Sequence, residues 1–303
     1  MKDLRIIYMG TPEFAVPGLD ALVENGFNVV AVITAPDKPA GRGRKIKESP
    51  VKEAAVKHNL PVLQPTNLKS PEFLEELKSY DANLQVVVAF RMLPVAVWDM
   101  PEIGTFNLHA SLLPDYRGAA PINWAIMNGE TETGITTFFL KHEIDTGDIL
   151  FQETEPIHED DNVGSLYERL MKKGAGLVVK TVQAIGEDNI NPFPQKEFDP
   201  SKKAPKIFKE TCEIDFSQPT KKVYDFIRGL SPYPAAWTTL NGKNCKIYKA
   251  TKLVGKEGSE PILTDNKTFV QLRCADGYIN VETLQLEGKK RMNIEDFLRG
   301  NKL

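Results

Sequence analysis

Residues 105–124 read TFNLHASLLPDYRGAAPINW, and the interpretation of the whole chain starts from this stretch. The apolar alternation of Phe106 and Leu108 predicts an extended strand, which puts Asn107 and His109 on one face. An amide donor and an imidazole side by side at a strand end suit a carbonyl group that undergoes attack. A structural histidine satisfied by backbone groups is the alternative, and the residues alone leave both interpretations open.

Length and composition indicate a globular protein of about two domains. The 303 residues carry a formal net charge of -3, so a nucleic-acid contact would need a local basic patch. No window approaches the roughly 20 apolar residues of a membrane span, and the chain opens on a strand rather than a signal peptide, which predicts a cytoplasmic protein. Cys212, Cys245 and Cys274 are scattered, and no HxH or HExxH spacing occurs. We therefore expect buried thiols and no metal site.

The order of elements in the first half of the chain predicts an α/β fold. A strand at Leu4–Met9, a helix and a second strand at Val29–Thr34 form a β-α-β unit, which predicts a Rossmann-like domain with a mostly parallel sheet. The apolar run Leu84–Ala89 predicts a central buried strand, and Phe90–Pro94 follows at the edge where such sheets bind ligands. No GxGxxG follows the first strand, so a nicotinamide dehydrogenase loses its main support.

The pattern changes in the last third of the chain. A capping box at Ser165–Glu168 predicts the start of a long helix. The proline-rich segment 190–206 predicts a linker between a domain of residues 1–189 and a second domain of residues 207–303. Hairpin signals, the first at Asn241-Gly242, predict that the second domain is a small β-barrel.

A basic segment lies between the second strand and the next helix. It reads KPAGRGRKIK from Lys38 to Lys47, and its glycines and proline predict a loop with neither helix nor strand. A solvated surface loop is one interpretation. Contact with a phosphate backbone is the other, and the clustering of cations in an acidic protein favours it. The candidate contacts are Lys38, Arg42, Arg44 and Lys45.

A carboxylate must lie beside His109 if this residue is to act as an acid or base near neutral pH. Asp145 stands in the loop Ile144–Gly147, from which its carboxylate could reach the strand ends. Ser111 is a weaker candidate for a nucleophile, because the elbow motif GxSxG is absent and bulky leucines follow it. We expect Ser111 to form a turn and to contact a ligand.

Taken together, these motifs resemble the methionyl-tRNA formyltransferase family. The motifs that carry the resemblance are GTPEFA at 10–15, PAGRG at 39–43, NLHASLLP at 107–114, YRGAAPI at 116–122 and DTGD at 145–148. They are long, ordered and spread over the catalytic half, and the family carries a C-terminal OB-like barrel after a linker. Two departures stand out: Phe90–Pro94 replaces a loop that usually contains Tyr-Gly, and Ala110 replaces the usual glycine.

The resemblance implies an activity and a role for each matching residue. The family transfers the formyl group of 10-formyltetrahydrofolate, its cosubstrate, to the α-amino group of methionine on initiator tRNA, without a metal. Asn107, His109 and Asp145 match the catalytic trio. The implied folate contacts are Ser111, Leu112, Leu113 and Pro114, with Phe90 and Met92 from the neighbouring loop. The implied tRNA contacts are Lys38, Arg42, Arg44 and Lys45.

Two rival functions stay open at this point. A folate-dependent formyltransferase acting on a small amine, such as glycinamide ribonucleotide or an amino sugar, would share the catalytic trio but not the basic segment. A non-catalytic RNA-binding module would use the barrel, where Tyr233, Trp237 and Tyr248 are candidate stacking residues. From the resemblance we expect a monomeric formyltransferase that acts on initiator methionyl-tRNA.

Overall fold

The structure, a computed structural model, describes residues 2–40 and 45–303. The chain divides into two compact units. The first comprises Met1–Arg117, Gly134–Glu155 and Glu168–Pro200, and the second comprises Gly118–Thr133, Pro156–Tyr167 and Ser201–Leu303. None of the helices in the described ranges combines the length and the apolar composition that crossing a membrane requires.

Residues up to 200 form the predicted α/β architecture. The strands are β1 (Ile6–Gly10), β2 (Val29–Ile33), β3 (Lys38–Ala40), β4 (Lys45–Lys47), β5 (Val62–Leu63), β6 (Leu84–Val88), β7 (Gly104–His109), β8 (Glu132–Phe139) and β9 (Ile149–Pro156). The helices are α1 (Val16–Glu24), α2 (Pro50–Lys57), α3 (Pro71–Ser79), α4 (Val95–Trp98), α5 (Pro121–Met127) and α6 (Val163–Gly186).

Seven of these strands form one sheet in the order β5-β2-β1-β6-β7-β8-β9. The pairs from β5 to β7 are parallel, and β8 runs antiparallel to β7, which confirms the mostly parallel sheet. Every residue of β1 and β6 is buried, as expected for central strands covered on both faces. Because β7 lies beside β6 and runs parallel to it, His109 at the end of β7 lies at the carboxyl edge of the central strands.

The start of α6 differs from the prediction. The predicted capping box was Ser165–Glu168, but the helix already begins at Val163. Asn162 is the actual cap, because its side chain accepts a hydrogen bond from the Ser165 amide at 3.1 Å while the Ser165 hydroxyl accepts from the Asn162 amide at 3.1 Å. The helix is therefore capped three residues earlier than expected, and Ser165 occupies the third helical position of the reciprocal pair instead of the cap.

The basic segment also differs from the prediction, because it contains strands. β3 pairs antiparallel with β4 as a separate two-stranded sheet, with Pro39 opposite Ile46. The expectation that this segment forms neither helix nor strand was wrong for Lys38–Ala40 and Lys45–Lys47, because the alternation Lys45-Ile46-Lys47 favours an extended chain and an edge strand tolerates proline.

The second unit contains an antiparallel sheet on which α7 packs. Besides α5, which lies in the segment Gly118–Thr133, its elements are α7 (Thr220–Leu230), β10 (Ala236–Leu240), β11 (Lys243–Val254), β12 (Ile262–Thr264), β13 (Val270–Cys274), β14 (Gly277–Leu286), β15 (Met292–Asn293) and α8 (Ile294–Leu298). The strand order is β10-β11-β14-β13-β12, with β15 added to β14. This arrangement is consistent with an OB-like domain, although no pairing between β10 and β12 closes a barrel within the described residues.

The core of this unit explains the cysteines. Cys212, Cys245 and Cys274 are buried free thiols in a cluster with apolar residues of α7 and the sheet. Burial raises the pKa of Cys245 to about 12 and that of Cys274 to about 11, so both stay protonated at neutral pH. The expectation of buried thiols is confirmed.

Candidate active site

The site is built on the end of β7. Asn107 pairs with Val87 of β6 and Phe138 of β8, and His109 pairs with Thr136 of β8, so the strand is fixed on both sides. Because the two residues are two positions apart, their side chains leave the sheet on the same face, as predicted. Within the described residues, the side-chain amide of the half-buried Asn107 makes no hydrogen bond, which leaves a donor at this strand end.

His109 is buried, with 7% of its surface exposed. Its Nε2 lies 2.9 Å from the carbonyl oxygen of Tyr116, and since a carbonyl only accepts, Nε2 carries a proton and donates it. The other ring nitrogen, Nδ1, faces Asp145, whose Oδ2 lies 4.0 Å away. The structure therefore brings the predicted histidine and carboxylate together, with one ring nitrogen anchored and the other directed at the carboxylate.

The loop that carries Asp145 is tightly constrained. Asp145 has a φ of 55°, a left-handed conformation that aspartate tolerates better than most residues. A Cβ added at Gly147 would lie 1.5 Å from the carbonyl oxygen of Phe139, so only glycine allows the loop to pass so close to the end of β8. The Phe139 amide also donates to the carbonyl of Asp148 at 3.0 Å. The motif Asp-Thr-Gly-Asp thus has a steric reason for its glycine.

The segment 111–114 forms a buried turn beside β8. The Ser111 hydroxyl donates to the Asp115 carbonyl at 2.6 Å, while the Ser111 carbonyl accepts from the Thr136 hydroxyl at 2.6 Å. Leu113 is 3% exposed and packs in a small cluster around Phe138, and its bond to Pro114 is cis. Ser111 therefore has the turn-forming contacts that we expected, and its hydroxyl is directed at a backbone carbonyl.

The loop after β6 flanks this turn at the same edge of the sheet. Phe90 is half-buried against the core of β1, β2 and β6, whereas Met92 is 74% exposed. Arg91 donates to the carbonyls of Thr66 and Pro65, which fixes the loop. Ala110 has no left-handed φ, so alanine in place of glycine is compatible with this backbone.

The structure describes only part of the basic segment. Lys38 is exposed, and Lys45 lies in β4. Arg42 and Arg44 lie outside the described residues. No cluster of three or more potential metal-ligating side chains occurs in the parts of the chain that the structure describes.

Two residues near the site, Arg117 and Gln195, were not predicted from the sequence. Arg117 donates from Nε at 3.1 Å and from Nη2 at 2.6 Å to Oε1 of Gln195. Burial lowers the pKa of the Arg117 guanidinium, and the carboxylates of Asp145 and Glu143 act in the opposite direction, so the cation lies within electrostatic reach of Asp145. Arg117 stood inside the quoted YRGAAPI motif, but no sequence signal pointed to Gln195.

Comparisons with known proteins show the family to which the chain belongs. The family model described as Formyl transferase matches residues 4–182, and the one described as Formyl transferase, C-terminal domain, matches residues 206–302. The methionyl-tRNA formyltransferase of Bacteroides fragilis is 57% identical over 309 residues, which cover 99% of this chain and 95% of that protein.

Solved structures share the fold at lower identity. An N-formyltransferase from Helicobacter canadensis, solved with folinic acid and dTDP-3-aminofucose, superposes with a TM-score of 0.68 at 21% identity, covering 95% of this chain and 100% of that one. Glycinamide ribonucleotide transformylase 1 from Symbiobacterium toebii gives 0.54 at 20% identity, covering 65% of this chain and 94% of that one. The chain belongs to the formyl transferase family, and within it to the methionyl-tRNA formyltransferases.

Proposed function

We propose that this chain transfers the formyl group of 10-formyltetrahydrofolate to the α-amino group of methionine esterified to initiator tRNA. The observation that carries the proposal is the pairing of His109 and Asp145 at 4.0 Å beside Asn107, in a chain matched over nearly its full length by methionyl-tRNA formyltransferases. The enzyme would act as a monomer in the cytoplasm, where translation begins.

The transfer forms a bond between the amine nitrogen and the formyl carbon and breaks the bond from that carbon to N10 of the folate. Asn107 would donate a hydrogen bond from its side-chain amide to the oxygen that becomes negatively charged after attack. His109, with Nε2–H committed to the Tyr116 carbonyl, would act through Nδ1. Asp145 would orient this nitrogen and help to move the proton lost by the attacking amine to N10.

An α-amine has a pKa near neutrality, so only modest help is needed to make it a nucleophile. The role assigned to the site is therefore stabilisation of charge among buried side chains: the exposed fractions of the His109 and Asp145 side chains are 9% and 13%. Burial of these groups strengthens each electrostatic interaction between them.

The folate would lie against the strand ends next to the trio. Leu112, Pro114 and Phe90 are half-buried, and Met92 is exposed, so together they offer a largely apolar wall. Ser111 and Leu113 are buried and would act mainly through the turn that they form. A planar heterocycle with polar edges fits such a wall when backbone groups supply its hydrogen bonds.

The tRNA would be recognised by charged residues outside the site of Asn107, His109 and Asp145. We propose that Lys38, Arg42, Arg44 and Lys45 contact the acceptor end, and that residues 1–189 act as catalytic domain, 190–206 as linker and 207–303 as tRNA-binding domain. In the C-terminal unit Tyr233 is 80% exposed, and the Arg291 guanidinium lies 3.5 Å from the centroid of the Tyr248 ring. Such aromatic and cationic groups suit nucleic acid.

An acceptor assay tests the proposal. Purified protein receives 10-formyltetrahydrofolate labelled in the formyl group, together with charged initiator tRNA, charged elongator tRNA, glycinamide ribonucleotide or a nucleotide-linked amino sugar. We expect label on the methionine α-amine of initiator tRNA, and much less on the other acceptors. Preferential labelling of a small amine would replace this proposal with the alternative of a small-molecule formyltransferase.

A further inference from the structure

The segment that we expected to be a linker contains two residues that are less exposed than their neighbours. Most of residues 191–200 are exposed, whereas Gln195 and Phe198 are half-buried. Both contact Arg117: Gln195 accepts its two hydrogen bonds, and the Phe198 ring lies 4.9 Å from the guanidinium carbon. Neither family model extends over this segment, since the matches end at residue 182 and resume at residue 206.

Gln195 also holds the loop of the carboxylate. Its Nε2 donates to the backbone carbonyl of Asp145 at 2.8 Å and to that of Gly147 at 2.9 Å. The side-chain amide thus fastens the loop on both sides of Thr146. The orientation of the amide is fixed, because its oxygen faces the Arg117 donors and its nitrogen faces two acceptors.

A backbone pairing fixes Gln195 in turn. The Ile149 amide donates to the Phe193 carbonyl at 2.8 Å, and the Phe193 amide donates back to the Ile149 carbonyl at 3.0 Å. This bridge ties the segment before Gln195 to the first residue of β9, directly after the loop that carries Asp145. Arg117, on the other side, follows Tyr116, whose carbonyl anchors His109.

We propose that Gln195 is a positioning residue for the reaction and that the Arg117–Gln195 pair sets the place of Asp145 opposite His109. The left-handed backbone of Asp145 needs such support, because an unsupported loop would relax to a commoner conformation and move the carboxylate. A displacement of about 1 Å at a reacting group can reduce turnover about 100-fold. This inference rests on the proposed function of Asp145.

A double-mutant cycle tests it in the full-length protein. Gln195→Leu removes both donors to the loop and the acceptor of Arg117. We expect kcat to fall about 10- to 100-fold while KM for either substrate changes little, since the lost contacts touch neither substrate. In the Asp145→Asn background the same substitution should change kcat less than about threefold, because the group that it positions has already lost its function.

The control is Gln183→Leu, the same chemical change at an exposed glutamine of α6 whose side-chain amide donates to the Glu187 carboxylate. It should leave kcat at the wild-type value in both backgrounds. An unchanged kcat in Gln195→Leu, or an equal fold-loss in both backgrounds, would overturn the inference. A wild-type kcat in Asp145→Asn itself would instead overturn the proposed role of Asp145.

A second variant covers the case in which Gln195→Leu does not fold. Gln195→Glu keeps an acceptor for Arg117 but turns a carboxylate oxygen toward the carbonyls of Asp145 and Gly147. The repulsion should displace the loop and reduce kcat by at least tenfold, within the range that misplaced groups produce. Folded Gln195→Glu with wild-type kcat would contradict the positioning role.

Discussion

The two ends of β9 carry carboxylates in opposite situations. Asp145 precedes the strand, and its Oδ2 lies 4.0 Å from Nδ1 of His109. Glu155 stands near the other end and is held by two cations, with Oε1 2.7 Å from Nε of Arg169 and Oε2 2.6 Å from Nζ of Lys173. Both carboxylates are largely buried, so burial alone does not distinguish them.

The difference is in what holds each residue. Burial acts to raise the pKa of Glu155, but the hydrogen bonds and charges of Lys173 and Arg169 outweigh it and lower that pKa. The ionised carboxylate is thus locked into links between β9 and α6. Asp145 is held through its backbone by Gln195, and its carboxylate faces His109, with Oδ2 4.0 Å from Nδ1. Glu155 is thus bound by two cations that join β9 to α6, whereas Asp145 lies beside the histidine to which we assign a role in the reaction.

The largest effect is expected at the reacting end of the sheet. Asn107→Ala removes the amide donor that we assign to the developing oxyanion. Turnover should fall about 100- to 1,000-fold, as it does when such donors are removed from other enzymes. Steady-state kinetics with charged initiator tRNA measures this, and retention of more than a tenth of the wild-type kcat would exclude the assigned role.

Glu155→Gln should affect stability instead of turnover. The substitution leaves Arg169 and Lys173 without their charged acceptor, and we expect a loss of about 1–3 kcal/mol in the free energy of unfolding. Equilibrium denaturation measures the change, while kcat should remain near the wild-type value.

The matched control lies two residues away. Glu153 pairs with Lys180 at 3.4 Å on a much more exposed surface, so Glu153→Gln should cost less than about 1 kcal/mol. Equal losses in both variants would mean that the Glu155 cluster is no stronger than a surface ion pair.

Acid pH should remove the contribution of Glu155. A folded-state pKa below the ordinary value of 4.5 means that the stabilisation is fully present above that value and disappears as the pH falls through the folded pKa. The stability difference between wild type and Glu155→Gln should therefore be largest near neutral pH and shrink as the pH falls below 4.5. Denaturation curves across this range check the sign, and a difference that grows on acidification would refute it.

The smallest effect is expected when one of the cations proposed to contact the tRNA is removed. Arg42→Ala should weaken binding of initiator tRNA severalfold and reduce the slope of log affinity against log salt by about 1, with little effect on kcat. Binding measured at several salt concentrations tests this, with Lys172→Ala on the exposed side of α6 as a control. Parallel salt plots for wild type and Arg42→Ala would argue against a phosphate contact.

Local signals in the sequence predicted much of the first unit. Ser49 caps α2 by accepting from the Lys52 amide, and Pro50 opens the helix; a serine followed by proline is a typical helix-start signal. The alternation around Asn107 and His109 was also readable, because a strand with period two fixes which side chains share a face. The ordered motifs then supplied Asp145, which the structure brings within 4.0 Å of His109.

Contacts between residues far apart in the chain could not be predicted from local sequence signals. Gln195 lies 78 residues from Arg117 and 50 from Asp145, and nothing in its neighbourhood distinguishes it from other polar residues in a proline-rich segment. The start of α6 was misjudged because Asn162 and Ser165 both suit a capping position, and only the folded chain shows which one caps.

The most direct test of the account is single-turnover formyl transfer by Asp145→Asn and Glu155→Gln, measured side by side. Enzyme in excess over charged initiator tRNA is mixed with labelled 10-formyltetrahydrofolate, and the label on the methionine α-amine is followed by rapid quench. We expect Asp145→Asn to slow the transfer at least about 100-fold, while Glu155→Gln transfers at the wild-type rate. A wild-type rate in Asp145→Asn would contradict the role in proton transfer that we assign to Asp145.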